Sequence, residues 1–381
     1  MEQDKNLPVI DEIMRQFAEE TGLLGERKPQ RYLWTDAFAV CNYLELHHRT
    51  GNEEYRTYAL DLVDQVHHVL GRYREDDRRS GWISGLDESE GEKHPTCGGL
   101  RIGKQLPERL PHEPEDDQLE YDRDGQYFHY LTKWMHALHQ VAVRTNTPVY
   151  DTWARELAVA AHEAFTYQPA AGKKKRMFWK MSTDLSRPLV SSMGRHDPVD
   201  GYLSYLEMQA DAPAALQEEI DEMEAICRRW DLSTDDPLGI GGLLTDALRL
   251  VKLEKRGRPV LPGLLENLLK AATAGIVLFS GQNSLQSPIE YRLPFRELGL
   301  SIGLQAVPAI EQYLKKNTAR SAENPSGRLL HQLSGYSSLC GMIEKSWLHP
   351  ESRRSVAWKT HNDINAVMLA TCLAPEGFFG R

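Results

Sequence analysis

The sequence predicts an all-α fold assembled from helical hairpins. Three observations carry that reading. A helix–turn–helix pattern recurs at a shift of about ninety-five residues, apolar residues fall at helical spacing through most of the chain, and no strand-rich stretch of any length intervenes. The recurrence joins Tyr32–His67 to Tyr127–His162. Arg49-Thr50 followed by Tyr55-Arg56-Thr57-Tyr58-Ala59 reappears as Arg144-Thr145 followed by Tyr150-Asp151-Thr152-Trp153-Ala154, while Leu62 and His67 fall on Leu157 and His162. The first helix of each copy is apolar almost all round (Phe38, Val40, Tyr43, Leu44, Leu46; Tyr130, Leu131, Trp134, Met135, Leu138), so it should be buried. The second alternates apolar and charged faces and should be an outer helix.

Around these copies the elements follow in order. A short amphipathic helix is predicted near residues 10–20. A third hairpin is predicted over residues 200–211 and 214–230, its second member rich in Glu at solvent-facing spacing. A fourth covers residues 238–255 and 262–279, with Arg256-Gly257-Arg258-Pro259 supplying the Gly and Pro that stop and restart helices. A fifth covers residues 294–315 and 326–345, and a last helix at 362–372 completes a sixth pair if the N-terminal helix is its outer partner. Long irregular stretches separate some pairs: 80–125, 168–199 and 280–293. Loops of that length are usually functional, and in a closed ring all three emerge on one face, where a site is expected.

With 381 residues, 41% hydrophobic and 26% charged, the chain is globular, and a single domain over residues 1–381 is expected. The formal charge of −10 argues against a nucleic-acid partner, because phosphate binding draws on clustered Lys and Arg. The one dense basic run, Lys173-Lys174-Lys175-Arg176, reads as a solvated loop. Five scattered cysteines (Cys41, Cys97, Cys227, Cys340, Cys372) without CxxC spacing suggest neither a disulfide framework nor a thiolate zinc site. A reducing cytoplasm is the expected compartment. Met1-Glu2-Gln3-Asp4-Lys5 lacks the pattern of a secretory signal. The most apolar segment, residues 271–279, is shorter than a bilayer span requires, so no membrane partner is expected.

Trp34-Thr35-Asp36 on an inner helix, and Thr50-Gly51-Asn52-Glu53-Glu54-Tyr55 at the following turn, extend the pattern. With the hairpin organisation, they make the chain resemble the six-hairpin glycosidase-like superfamily, at superfamily level only. The resemblance implies an (α/α)6 toroid: six inner helices ringed by six outer ones, with a cleft at the mouth of the inner ring. It also implies carbohydrate chemistry without naming the reaction. Glucosidases, unsaturated glucuronyl hydrolases and mannanases belong to the superfamily, and N-acylglucosamine and cellobiose 2-epimerases share a similar barrel.

In that architecture, residues at the start of an inner helix face the cleft. Asp124 opens the second inner helix and is the first candidate for a catalytic acid or base; Asp197 or Asp200, opening the third, would be its partner across the gap that glycoside hydrolysis needs. Helix capping competes for both Asp124 and Asp200. Asp36 sits inside the first inner helix beside Trp34, so it needs either a partner or a wet cavity. Arg292 and Arg296, entering the fifth inner helix, could grip a carboxylate or hydroxyl-rich ligand. His361 with Asp363 could form a proton-transfer pair, and Trp34, Tyr127, Trp134, Trp179, Tyr202 and Trp358 could offer flat faces to sugar rings. His196 completes the candidate binding residues.

The expected activity is therefore glycoside hydrolysis on a short oligosaccharide or glycoside, by carboxylate acid/base catalysis. Two alternatives stand beside it: a sugar epimerase or isomerase in which His196 and His361 exchange a proton while arginines polarise the carbonyl, and a non-catalytic toroid that binds carbohydrate or protein. No cofactor and no metal are expected. Asp116-Asp117-Gln118-Leu119-Glu120 matches an acidic magnesium-binding pattern but sits in a predicted loop, and HExxH and GxxxxGK[ST] are absent. Cys97-Gly98-Gly99 could present a reactive thiol, though nothing basic is fixed beside it in the sequence.

Overall fold

The computed structural model describes residues 2–170, 174–209, 215–228, 230–317 and 325–380. Its fold is all-α, with helical hairpins as the repeating element and strands of only two or three residues. The chain divides into two compact units: Ala18–Cys227, and Met1–Phe17 together with Arg228–Arg381. The N-terminal helix α1 (Glu2–Glu20) buries Ile10, Ile13, Met14 and Phe17, one stripe at helical spacing.

In the first unit the sequence repeat is a repeat of structure. Helices α2 (Leu33–Thr50) and α3 (Glu53–Leu70) form one hairpin, and α4 (Phe128–Thr145) and α5 (Val149–Phe165) the next. Tyr32 and Tyr127 occupy equivalent N-cap positions in extended backbone; Gly51 and Asn146 end α2 and α4 in the left-handed conformation, at φ 67° and 55°. All residues from Leu33 to Leu46 are buried, so α2 is a fully enclosed helix. In α3 the buried side is Tyr55, Ala59, Leu62, Val63, Val66 and Leu70, the single apolar stripe of an outer helix. Each enclosed Leu or Val contributes about 1.5–3 kcal/mol relative to exposure. A third hairpin is formed by α6 (Asp197–Gln209) and α7 (Gln217–Cys227); the predicted turn at residues 211–214 lies outside the described residues, as does Lys173 of the basic run.

The loop predicted between α5 and α6 is partly ordered as ribbon. Strand β1 (Gln126–Tyr127) leads into α4, β2 (Thr166–Tyr167) pairs with β3 (Arg176–Met177), and β4 (Lys180–Met181) lies between β1 and β5 (Pro188–Val190), all antiparallel. Close approach of β4 to β1 depends on Gly125, at φ 136°, where a Cβ would meet the Met181 carbonyl oxygen at 2.7 Å. Lys180 is buried beneath this ribbon. Its Nζ donates to the carbonyls of Glu120 at 2.5 Å and Arg123 at 2.8 Å and lies 3.3 Å from Glu120 Oε2.

In the second unit, α8 (Pro237–Lys255) pairs with α9 (Leu264–Gly281) and packs closely on α10 (Pro294–Asn317). Gly241 and Gly303 permit that approach, since a Cβ on Gly303 would stand 2.4 Å from the Cα of Gly241. The predicted partner of α10 over residues 326–345 is two helices, α11 (Pro325–Ser334) and α12 (Ser338–Leu348), broken at Gly335 by short i+3 turns. Helix α13 (Asn362–Leu373) lies against α10 and α12. Helix α9 extends the apolar segment 271–279 read from the sequence: over its 18 residues the mean hydropathy is 1.3, long and apolar enough by composition to cross a membrane. The shorter segment 271–279 missed this because Leu264, Leu265, Leu268 and Leu269 precede it. In the structure Leu268, Leu269, Ala272, Ile276 and Phe279 form a buried stripe, the pattern of an outer helix packed on one side.

Candidate functional site

Within the first unit, α4 and α6 face each other through a ladder of polar side chains. His129, Lys133 and His136 recur at i, i+4 and i+7 on α4, one face of the helix. Opposite them stand Asp197, Asp200 and Glu207 of α6. His129 Nδ1 lies 3.8 Å from Asp197 Oδ1, Lys133 Nζ is 2.5 Å from Asp200 Oδ2, and His136 Nδ1 is 3.5 Å from Glu207 Oε2.

The three rungs are chemically different. Asp200 Oδ2 accepts from Lys133 and from the Thr132 hydroxyl, which donates at 2.8 Å. At the first rung, His129 Nδ1 and Asp197 Oδ2 are both buried polar atoms without a hydrogen-bond partner. Such atoms are costly unless a function or a ligand uses them. Burial, reinforced by the charge of Asp200 and opposed by Lys133, pushes Asp197 up to about 7. Burial also pushes His129 down to about 4, with Lys133 adding to the effect, Asp200 opposing it and His196 contributing a smaller push down. At neutral pH the imidazole is therefore neutral and the carboxyl can hold or release a proton.

Aromatic rings frame this rung. Trp179, carried by the turn into β4 and fixed by its N–H to the Val190 carbonyl at 3.2 Å, lies parallel to His129 at 6.3 Å and 9°. Tyr127 stacks on His129 at 5.3 Å and meets Trp179 at 4.9 Å; Tyr130 presents its edge to His129 at 4.8 Å. The Tyr130 and Tyr32 hydroxyls are 2.6 Å apart, which brings the start of α2 to the same patch. His129, Tyr130, Trp179 and Tyr32 all retain partial solvent access. A half-open aromatic surface with hydroxyls at its edge and an acid and base behind it suits a polar ligand that also has apolar faces.

Of the residues predicted from sequence, Asp197, Asp200, Tyr127, Trp179 and His196 thus come together. Asp124 goes elsewhere: it is fully buried, with Arg101 Nη1 donating at 2.6 Å and the backbone N–H groups of Gly103 and Gly125 at 3.0 and 3.1 Å. Its oxygens are engaged by the polypeptide, which suits an anchor for the first long loop more than an acid or base. Asp36 has the partner its burial demanded, lying 3.5 Å from Arg31 and accepting from Tyr32 N–H at 2.9 Å; Trp34 is buried against Phe38. The magnesium-like run is also structural, with Asp116 capping a one-turn helix at Asp117–Glu120 and Glu120 accepting from Arg109.

In the second unit, the proposed clamp is internally satisfied. Arg292 makes a bidentate pair with Glu297 at 2.8 and 2.5 Å and covers Trp347, while Arg296 pairs with Asp236 at 2.8 Å. Trp358 is buried beside Trp347, its indole N–H donating to Asn362 at 3.0 Å, and His361 meets the Phe295 ring edge-on at 5.6 Å. His129 and Lys133 were not singled out in the sequence, although their i, i+4 spacing on an otherwise apolar helix was a visible signal.

No known protein family matches the sequence, and no curated protein matches it. Among solved structures, the chain is similar to a D-mannose isomerase, with 12% identity, a TM-score of 0.47 and coverage of 88% of this chain and 87% of that one. It is also similar to cellobiose 2-epimerase from Spirochaeta thermophila DSM 6192, with 11% identity, a TM-score of 0.49 and coverage of 97% and 98%.

Proposed function

We propose that this chain is a carbohydrate-active enzyme whose reaction is proton transfer at a carbon beside a carbonyl, as in a sugar epimerase or isomerase. The single observation that carries this reading is the His129–Asp197 rung, two adjacent groups that each keep a buried polar atom without a hydrogen bond and whose proton affinities are displaced in opposite directions by burial. One group takes the proton from carbon and the other supplies a proton to the carbonyl oxygen, giving an enediol that collapses with the proton returned to carbon. Trp179 and Tyr127 offer faces to the apolar side of a sugar ring, and the Tyr32 and Tyr130 hydroxyls offer polar edges.

Hydrolysis, the first expectation, is the weaker reading. It needs two carboxyl groups free to work across the bond, and of the candidates Asp200 is tied to Lys133 and Thr132 while Asp124 is tied to Arg101. The His196–His361 exchange is replaced in this proposal by His129 and Asp197, with His196 as a neighbour that lowers the proton affinity of His129.

The experiment is incubation of the protein with free aldoses and reducing disaccharides in heavy water, followed by NMR of the recovered sugar. Deuterium at the carbon next to the carbonyl, lost in His129→Gln and in Asp197→Asn, is the expected result. A new reducing end released from glycosides without carbon exchange would favour hydrolysis, and binding without either would leave a non-catalytic carbohydrate-binding protein.

A further inference from the structure

A second cluster lies apart from this rung, where the first long loop meets α5. His94, Cys97 and Glu156 place an imidazole nitrogen, a thiol sulfur and a carboxylate oxygen all within 4.8 Å of one another. His94 and Cys97 bracket a tight turn. Pro95 sits at its second position, where its fixed φ favours the turn, and Cys97 N–H donates to the His94 carbonyl at 3.3 Å. The turn is fastened to α5 from both sides: the Thr96 hydroxyl donates to the Trp153 carbonyl at 2.7 Å, and the Trp153 indole N–H donates to the Lys93 carbonyl at 2.8 Å. Glu156 is one helical turn beyond Trp153, so its carboxylate is brought over the turn by the same helix face.

We propose that His94, Cys97 and Glu156 form a zinc site with three protein ligands and water completing the tetrahedron. The ligand set is the imidazole, thiolate and carboxylate mixture that Zn2+ accepts, and the open side would be filled by solvent. His94 Nδ1 is now 2.7 Å from Glu156 Oε1, held by a shared proton; the ion takes the place of that proton, with a small separation of the two groups. Glu156 Oε2 is buried without a hydrogen-bond partner, a lone pair that the polypeptide leaves unused. On binding, the S–H bond breaks, the sulfur pair forms the bond to zinc, and the proton leaves to solvent. The ion would cross-link the loop to α5, a structural role separate from the carbohydrate reading.

Cobalt(II) titration of the full chain tests the site, because thiolate coordination gives an intense sulfur-to-cobalt charge-transfer band. The expected result is that band at one equivalent, its displacement by zinc, its loss in Cys97→Ser, and weaker binding in Glu156→Gln. Absence of the band in the unsubstituted protein, or its persistence in Cys97→Ser, overturns the proposal. A measurement without variants is peptide-level mapping of iodoacetamide labelling: zinc should protect Cys97, and labelling unchanged by zinc also overturns it.

Discussion

Trp134 donates its indole N–H to Nε2 of His67 at 3.2 Å, and both side chains are buried. His67 is the last matched residue of the first sequence copy, while Trp134 lies in the inner helix of the second. The bond requires a neutral imidazole with an unprotonated Nε2, and burial, with a smaller push from His68, holds His67 down to about 3. Trp134→Phe would remove the donor and leave a buried acceptor unsatisfied, at a cost of about 1–3 kcal/mol, with a further cost for the cavity left by the smaller ring. Urea denaturation should show a lower midpoint with an unchanged slope.

The His129–Asp197 rung should betray itself in the pH dependence of stability. Asp197 has a folded value raised from 3.8 to about 7, so the folded state binds its proton more tightly and stability from this group falls as pH rises across that interval. His129 has a folded value lowered from 6.5 to about 4, so the unfolded state binds more protons there and stability rises with pH. The two slopes oppose each other in the unsubstituted protein. His129→Gln should expose the falling slope and Asp197→Asn the rising one, read from thermal midpoints between pH 4 and pH 7. Each substitution should also lower turnover by roughly 100- to 10,000-fold, the usual worth of a positioned acid or base.

Asp124→Asn is expected to act on stability. It leaves Arg101 buried with its charge uncompensated, and breaking a buried pair in this way typically costs about 3–5 kcal/mol. Chemical denaturation measures the loss; a variant as stable as the parent would return Asp124 to the list of catalytic candidates.

The two equivalent helix ends give a paired test. Gly51→Ala places a Cβ in the left-handed region and should destabilise by about 1–2 kcal/mol. Asn146→Gly relieves the smaller strain at the matching position and should be neutral or slightly stabilising by the same measurement.

The hairpins were legible because their signals are local. Apolar spacing marked α2 and α4 as enclosed, and Gly51 marked the end of α2. The ninety-five-residue echo located a true structural repeat, down to matching N-caps at Tyr32 and Tyr127. The roles of the carboxylates were less legible because they depend on partners far away in sequence. Nothing around Asp124 announces Arg101, 23 residues earlier in a loop, just as nothing around Asp200 announces Lys133, 67 residues earlier. The same holds for Trp179, whose place beside His129 depends on a ribbon formed from strands too short to leave an alternating pattern. Position at a helix start placed Asp197 beside His129 and gave no sign that Asp124 pairs with Arg101.

Lys180 carries a practical consequence. With its ammonium occupied by two main-chain carbonyls and covered by the ribbon, it is shielded from acylating reagents that reach the outward lysines freely. Its modification has to wait for those hydrogen bonds to break, next in sequence to Trp179 beside His129. The acylation rate at this one amine therefore reports on loss of its carbonyl partners, and a sugar that docks against the adjacent Trp179 should slow it.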